Sequence, residues 1–175
     1  MRSRSASRAF WTLLLGLSLG AAPRASAGDE EPYGRSGFYL GAGGMANIYV
    51  GGSSTEVTGG GELLAGYRFG RYFATDLDLQ VAKHDIVRVV GQAKLFSFAE
   101  YPVQPYLLIG LGSFIWTGGS AAEAIGLFRP GLGIDFYLTE YVLFSPVVYY
   151  EFWFDSNDVE FPELVNVGAT LQLRF

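Results

Sequence analysis

The last twelve residues constrain the fold most, because they form the most regular amphipathic strand in the chain. From Leu164 to Phe175 the sequence reads LVNVGATLQLRF. Apolar residues alternate with asparagine, glycine, threonine, glutamine and arginine, which places the two sets on opposite faces of a β-strand. Chain ends fray unless something holds them, so this strand is expected to be paired. If it closes a barrel in a bilayer, its apolar row faces acyl chains and Phe175 lies at the interface.

The same alternation recurs from Gly37 onward in runs of about ten residues, the length that a barrel strand needs. The predicted strands cover residues 37–49, 61–70, 72–82, 87–98, 105–116, 126–138, 142–153 and 164–175. Connectors after the odd-numbered strands are mostly longer than the others, which predicts loops outside and both termini in the periplasm. Pro130 and Pro146 fall inside strands and remove ladder donors, so bulges or bends are expected there. The sequence predicts an eight-stranded antiparallel up-and-down transmembrane β-barrel over residues 37–175.

The polar faces decide whether the apolar rows point outward, because a soluble barrel would bury the same rows. These faces are rich in glycine, which a solvated surface does not need but which a narrow eight-stranded interior, filled by side chains of mixed size, does. The glycines are Gly41, Gly43, Gly66, Gly110, Gly112, Gly131, Gly133 and Gly168. Lysine, which is common on the surfaces of soluble proteins, occurs only twice. A membrane barrel is therefore favoured.

Aromatic residues gather near the predicted strand ends, as the two interfacial girdles of a membrane barrel would. The periplasmic group is Tyr67, Phe69, Phe73, Phe96, Phe98, Tyr106, Phe136, Tyr141, Phe144 and Phe175. The outer group is Tyr49, Trp116, Phe152 and Trp153. Both groups are expected to face lipid.

The amino terminus has the form of an export signal. Three arginines within the first eight residues precede an uncharged run from Phe10 to Ala22, which is too short to span a bilayer as a helix. Ala25 and Ala27 supply the small residues of a signal peptidase site. We predict cleavage after Ala27, with residues 28–36 as a short leader to the barrel.

Charge and cysteine content exclude several classes of function. The first 27 residues hold four of the twelve basic residues and none of the seventeen acidic ones, so the remainder has eight against seventeen, a net charge of −9. Such an acidic chain is not expected to bind nucleic acid. With no cysteine, disulfides and lipid attachment at the new terminus are excluded. No cofactor is predicted.

Several short motifs resemble those of the small outer-membrane β-barrel family that includes the OmpA barrel domain and OmpX. They are, in order, Gly66-Tyr67-Arg68-Phe69 with Tyr72-Phe73-Ala74, Pro105-Tyr106 before Gly110-Leu111-Gly112, and Gly131-x-Gly133-x-Asp135. The resemblance implies an outer-membrane location in a Gram-negative bacterium, in contact with outer-membrane lipid. Unlike OmpA, the sequence has no peptidoglycan-binding domain after Phe175, so wall tethering is not expected.

The carboxyl-terminal strand also resembles the assembly signal of outer-membrane barrels. Its pattern is Asn166-x-Gly168-x-x-Leu171-x-Leu173, followed by Phe175. The resemblance implies that the barrel-assembly machinery is a partner during biogenesis. In that family an aromatic usually occupies the penultimate hydrophobic position, where this chain has Leu173.

Ten charged residues fall on the polar faces, five of each sign. They are Glu62, Asp76, Asp78, Asp135 and Glu151 against Arg68, Arg88, Lys94, Arg129 and Arg174. Counting from strand ends places Arg68, Asp76, Lys94, Asp135 and Arg174 in a periplasmic-side layer and the other five in an outer layer. Since isolated buried charge is costly, these residues must pair or stay hydrated. They therefore form either an ionic plug or the lining of a narrow polar path for small solutes.

Catalytic and metal sites have little support. A Ser-His-acid set can be assembled from outer-loop residues, but no motif accompanies it. Its members would be His84 and Asp85 with Ser53, Ser54, Ser120 and Glu123. The last outer loop is acidic, through Asp155, Asp158, Glu160 and Glu163, and is interpreted as solvated, with weak divalent-cation binding as the alternative. One histidine and no cysteine predict no metal site.

The sequence thus predicts a monomeric, non-enzymatic barrel with a role in envelope structure or surface interaction. Two alternatives stay open: a narrow small-solute channel, and a carrier of hydrophobic small molecules of the OmpW kind.

Overall fold

The computed structural model describes residues 33–50, 56–83, 86–116, 123–154 and 163–175. Its eight strands are β1 Gly37–Val50, β2 Glu56–Arg68, β3 Phe73–Ala82, β4 Ile86–Phe96, β5 Val103–Trp116, β6 Glu123–Tyr137, β7 Val142–Phe154 and β8 Glu163–Arg174. Each strand pairs antiparallel with the next, and β8 pairs with β1 to close the barrel. The predicted all-β up-and-down barrel is confirmed. No helix among the described residues is long and apolar enough to cross a membrane.

The two ends of the barrel differ in their connections. At the turn end, strands are joined by residues 69–72, 97–102 and 138–141, and the first and last strands begin and end there. The Phe175 amide donates to the carbonyl of Phe38 at 2.9 Å, which holds the chain end in the sheet. At the opposite end, the loop end, lie the connections 51–55, 83–85, 117–122 and 155–162, of which only Lys83 is described. The predicted signal segment, residues 1–27, also lies outside the described residues.

The predicted strand bounds agree with the structure to within three residues, except at the start of β2. We expected Gly51–Gly60 to be a loop, but β2 begins at Glu56. Gly60 pairs with Met45 on one side and Ala82 on the other, and a Cβ there would lie 2.8 Å from the Val81 carbonyl oxygen. Gly59, Gly60 and Gly61 therefore lie within β2, with a close backbone approach at Gly60, and the expectation of a loop was wrong for residues 56–60.

The expected bulges at Pro130 and Pro146 are absent. The β6–β7 register is the same before, between and after the two prolines, from Gly126 opposite Phe154 to Tyr137 opposite Leu143. Ladder pairs are missing beside each proline, because proline has no N–H to donate. The prolines thus interrupt hydrogen bonding between β6 and β7 without inserting an extra residue.

Side chains alternate between a buried inner set and a more exposed outer set along the strands. Four residues that we assigned to the lipid-facing girdles belong to the inner set, and one of them, Tyr49, alternates with the buried Asn47 and lies opposite the buried Leu164. Phe96 and Tyr106 are buried inside the barrel, where their rings lie 5.3 Å apart. Trp153 stacks on the buried Phe114 at 5.1 Å, also on the inner face. The nearness of an aromatic residue to a strand end does not show which face of the barrel it occupies. Its position in the alternation of inner and outer residues does show this.

Candidate functional site: a charged barrel interior

The outer face of the barrel is apolar around its whole circumference. Large hydrophobic side chains are exposed on every strand, among them Phe38, Leu63, Leu77, Leu95, Leu107, Leu132, Phe144 and Leu171. Phe38, Tyr67 and Phe69 form consecutive edge-to-face contacts near the turn end, with ring centroids 4.7 and 4.8 Å apart. A soluble monomer rarely exposes continuous apolar surface of this extent.

The interior is polar, and all ten charged residues predicted to line it lie inside the barrel and are at most 6% exposed. Uncharged polar side chains accompany them, namely Asn47, Thr58, Gln80, Gln92, Gln104, Ser145, Asn166, Thr170 and Gln172. The outer face is therefore apolar, whereas charged and polar side chains occupy much of the interior, the reverse of a soluble barrel.

The loop-end charges form one connected network around Arg129. Its guanidinium group bonds Asp78 through Nη1, Glu151 through Nε and Nη2, and Gln80 Oε1 through Nη2 at 2.9 Å. Its Cζ also lies 4.1 Å from the centre of the Tyr149 ring. All five donors of a guanidinium point in fixed directions, so contacts from β3 and β7 hold Arg129 in one place.

Arg88 extends this network toward β1. Its Nε lies 3.3 Å from Glu151 Oε2, and its Nη1 donates to Asn47 Oδ1 at 2.8 Å. Glu62, the remaining charge of this layer, lies opposite Gln80 in the β2–β3 register. Four of the five charges of the predicted outer layer, namely Asp78, Arg88, Arg129 and Glu151, thus form one contiguous cluster.

The turn-end charges divide into smaller groups. Lys94 Nζ lies 2.7 Å from Asp76 Oδ2, which also accepts from the Tyr39 hydroxyl at 2.8 Å. Asp135 accepts from the Ser145 hydroxyl at 2.6 Å, and Ser145 in turn contacts the Tyr106 hydroxyl at 2.9 Å. Lys94 and Asp76, which we assigned to the same charge layer, thus form an ion pair.

Arg68 and Arg174 form the third turn-end group and share the hydroxyl group of Tyr137. Arg68 Nη1 donates to it at 3.0 Å and Arg174 Nη1 at 2.7 Å. Arg68 is also bound by Gln104 Oε1 at 2.7 Å and by two backbone carbonyls. These arginines therefore have neutral partners, in contrast to Arg88, Arg129 and Lys94.

Interior tyrosines opposite glycines are a feature that sequence reasoning missed. Tyr39 lies opposite Gly66, Tyr106 opposite Gly133, and Tyr149 opposite Gly131. A Cβ at Gly66 or Gly133 would overlap the ring of its partner tyrosine. The alternation along each strand places these tyrosines and glycines on polar faces, so their interior position was predictable. Which tyrosine lies opposite which glycine depends on the register between strands, which the sequence alone did not give.

Two cavities in this interior are each about 10 Å³ in volume. That is about the space of one water molecule. Lys94 lines both: the first lies between it and the Arg68–Arg174 pair, and the second lies toward Glu62 and Tyr149. Neither cavity is therefore large enough to form a path for solutes through the barrel.

The predicted assembly residues occupy β8 and the residue after it. Leu171, Leu173 and Phe175 are exposed on the outer face, while Asn166 is buried inside and Gly168 lies opposite Met45. Their placement follows the predicted alternation.

The loop residues considered for catalysis lie largely outside the described residues, as do Asp155, Asp158 and Glu160 of the acidic loop. Glu123 and Glu163 fall at the starts of β6 and β8. Within the described ranges, no group of three or more histidine, cysteine or acidic residues could hold a metal ion.

No protein-family model matches the chain, and no curated protein matches it. Several solved structures match it. Neisserial surface protein A matches with a TM-score of 0.66 and 18% identity, over 81% of this chain and 99% of that one. The amino-terminal β-barrel domain of Pseudomonas aeruginosa OprF matches with a TM-score of 0.54 and 12% identity, over 79% and 100%. OprG from the same organism matches with a TM-score of 0.53 and 14% identity, over 83% and 100%. At the level of the fold, the resemblance to small outer-membrane barrels is confirmed.

Proposed function

We propose that this protein is a non-enzymatic, integral outer-membrane β-barrel whose lumen is closed by charged side chains, with a structural or surface-interaction role in the Gram-negative envelope. The observation that carries the proposal is the inversion of polarity: apolar rows encircle the closed barrel, and ion pairs fill it. In lipid the outer rows cost nothing to expose, whereas in water apolar surface costs about 25 cal/mol per Å².

The closed sheet supports the same proposal. Backbone groups in hydrocarbon must be satisfied within the protein, and a closed barrel achieves this because it has no free edge. The pairing of β8 with β1 over twelve positions removes the edge here. By this proposal outer-membrane lipid surrounds the protein, the turn end and both termini face the periplasm, and the protein is a monomer.

Biogenesis in this proposal uses two sequence signals. The segment that ends at Ala27 directs export and is removed, and the strand that ends at Phe175 engages the barrel-assembly machinery. The support for the second signal is the unbroken outer row of β8, in which Leu171, Leu173 and Phe175 are exposed.

Membrane fractionation and planar-bilayer recordings test the proposal. The protein should fractionate with the outer membrane and migrate faster in gels before boiling than after it. Reconstituted protein should show no steady conductance, because Arg129, Glu151 and Asp78 interlock across the lumen. A chain that stays soluble without detergent would contradict the membrane assignment, and a stable ohmic conductance would favour the narrow-channel alternative.

One observation favours the carrier alternative. Toward the loop end the inner face includes an apolar cluster of Ala82, Ile86, Val90, Phe114 and Leu127, with Ile125 and Trp153 packed against it. This cluster would suit the apolar part of a small molecule. Mass spectrometry of gently delipidated protein would detect such a molecule, and its absence after expression in the native envelope would count against a carrier.

A further inference from the structure

The turn end of the lumen contains more positive than negative charge. Both Arg68 and Arg174 are 3% exposed, and neither forms an ion pair with any residue in the part of the chain that the structure describes. Arg174 donates from Nη1 to the Tyr33 carbonyl oxygen at 2.9 Å and to Tyr137. Its Nε and Nη2 atoms are buried and have no hydrogen-bond partner there.

The neighbouring carboxylates do not supply the missing charge. The cavity beside Arg174 is lined by three cationic side chains, Arg68, Lys94 and Arg174, and by one carboxylate, Asp135. Lys94 is neutralised by Asp76 at 2.7 Å. Among the described residues, Asp135 alone then faces two arginines and leaves one buried cation without a counter-charge, which a buried charge requires.

We propose that the Arg68–Arg174 pair binds a carboxylate group or a similarly small oxyanion at the turn end of the barrel. The unpartnered Nε and Nη2 of Arg174 lie on one edge of its guanidinium group, the geometry that accepts a carboxylate through two parallel hydrogen bonds. Arg68 supplies charge rather than donors, because its own donors are used by Gln104, Tyr137 and backbone carbonyls.

The carboxylate can come from the chain itself or from solution. Asp29, Glu30 and Glu31 precede Tyr33 in the sequence by two to four positions. Since Arg174 holds the Tyr33 carbonyl and each residue adds at most about 3.6 Å, all three carboxylates are within reach of the pair. The alternative source is a free anion such as acetate or phosphate, which would bind the same donors.

A double-mutant cycle on the refolded chain from Gly28 to Phe175 distinguishes the two sources. The leader variant carries Asp29→Asn, Glu30→Gln and Glu31→Gln, and its matched control carries Glu140→Gln, an exposed acid in another turn. If the leader is the source, its variant lowers the folding equilibrium constant in urea about tenfold, as expected for one charge-assisted hydrogen bond. That loss disappears in an Arg174→Gln background, and the Glu140→Gln control changes little.

If a free anion is the source, the leader variant has little effect. Acetate or inorganic phosphate, exchanged at constant ionic strength against perchlorate, then raises the urea midpoint of the wild-type chain and not that of Arg174→Gln. Should Arg174→Gln fail to refold, the Nε–H resonance of Arg174 in ¹⁵N-labelled wild-type protein replaces it as the readout. This resonance should shift with the leader variant or with the added anion. The proposal is overturned if neither perturbation moves the resonance and neither changes stability.

Discussion

The pair formed by Lys94 and Asp76 allows the closed lumen to be tested quantitatively. Their charged atoms lie 2.7 Å apart, and their side chains are 5% and 0% exposed. Lys94→Met keeps most of the side-chain volume but leaves the Asp76 carboxylate buried with the Tyr39 hydroxyl as its remaining donor. Removing one partner of a buried ion pair lowers the free energy of unfolding by about 3–5 kcal/mol. Because the Tyr39 hydrogen bond remains, we expect a loss of about 3 kcal/mol.

Asp76→Leu should cost a similar amount, because it leaves the Lys94 ammonium group without a counter-charge. The double variant removes both charges and leaves chiefly the Tyr39 hydroxyl to find a new acceptor, at about 1–3 kcal/mol. The coupling energy, which is the sum of the two single losses minus the loss in the double variant, should therefore be about 3–5 kcal/mol. Urea unfolding of the barrel refolded in detergent or lipid vesicles measures all four corners of this cycle.

Lys83→Met is the matched control, since Lys83 is exposed at the end of β3 and the substitution is the same. It should change the unfolding free energy by less than about 0.5 kcal/mol. If both single changes in the pair are equally harmless and the double is additive, then Lys94 and Asp76 are independently hydrated. The lumen would then be wet, and the narrow-channel alternative would gain.

Three further outcomes are expected. Amino-terminal sequencing of the outer-membrane form should begin Gly-Asp-Glu-Glu, because cleavage follows Ala27; a mature protein that keeps the apolar run would contradict the export signal. Deleting Phe175 should reduce the heat-modifiable, membrane-inserted fraction and increase degradation, whereas unchanged insertion at native expression would show that the assembly signal was misassigned. Gly66→Ala should destabilise the barrel by about 1–3 kcal/mol, because the added Cβ overlaps the Tyr39 ring. Gly61→Ala, with nothing within 4 Å of the added atom, should be close to neutral in the same urea assay, and equal effects would argue against the tyrosine–glycine packing.

The strand order and the inner and outer faces were predictable because alternation with a period of two is a local property of the sequence. Strand ends were less so where backbone conformation decides them. β4 was expected to run to Phe98, but that residue has a φ of 56°, which no strand can continue through. The start of β2 was missed for the opposite reason, since its glycines resemble a turn locally and are held in the sheet by neighbours far along the chain.

The sequence predicted which charged residues lie in the interior, but not which of them contact one another. Each charge could be assigned to a face from its own strand, whereas the partners of Arg129 come from β3 and β7 and depend on how a closed barrel brings distant strands together. The proximity of Lys94 to Asp76 was within reach, because β3 and β4 are consecutive and their register follows from a short connection. The neutral partners of Arg174 depend on Tyr33 and Tyr137, which no sequence pattern linked to it.

The pairing of β8 with β1 distinguishes the native closure of the barrel from closures with a shifted register. In the observed register Asn166 lies opposite Asn47 and Thr170 opposite Gly43, with both polar side chains buried inside. A shift of one residue would still close the sheet, but it would turn Thr170 and Gln172 toward lipid and bring Leu171 into the ionic interior. Backbone hydrogen bonds alone cannot distinguish the two closures. The correct one is favoured because its apolar side chains face lipid and its polar side chains face the interior. The pairing of β8 with β1 therefore depends on the register of all the other strands.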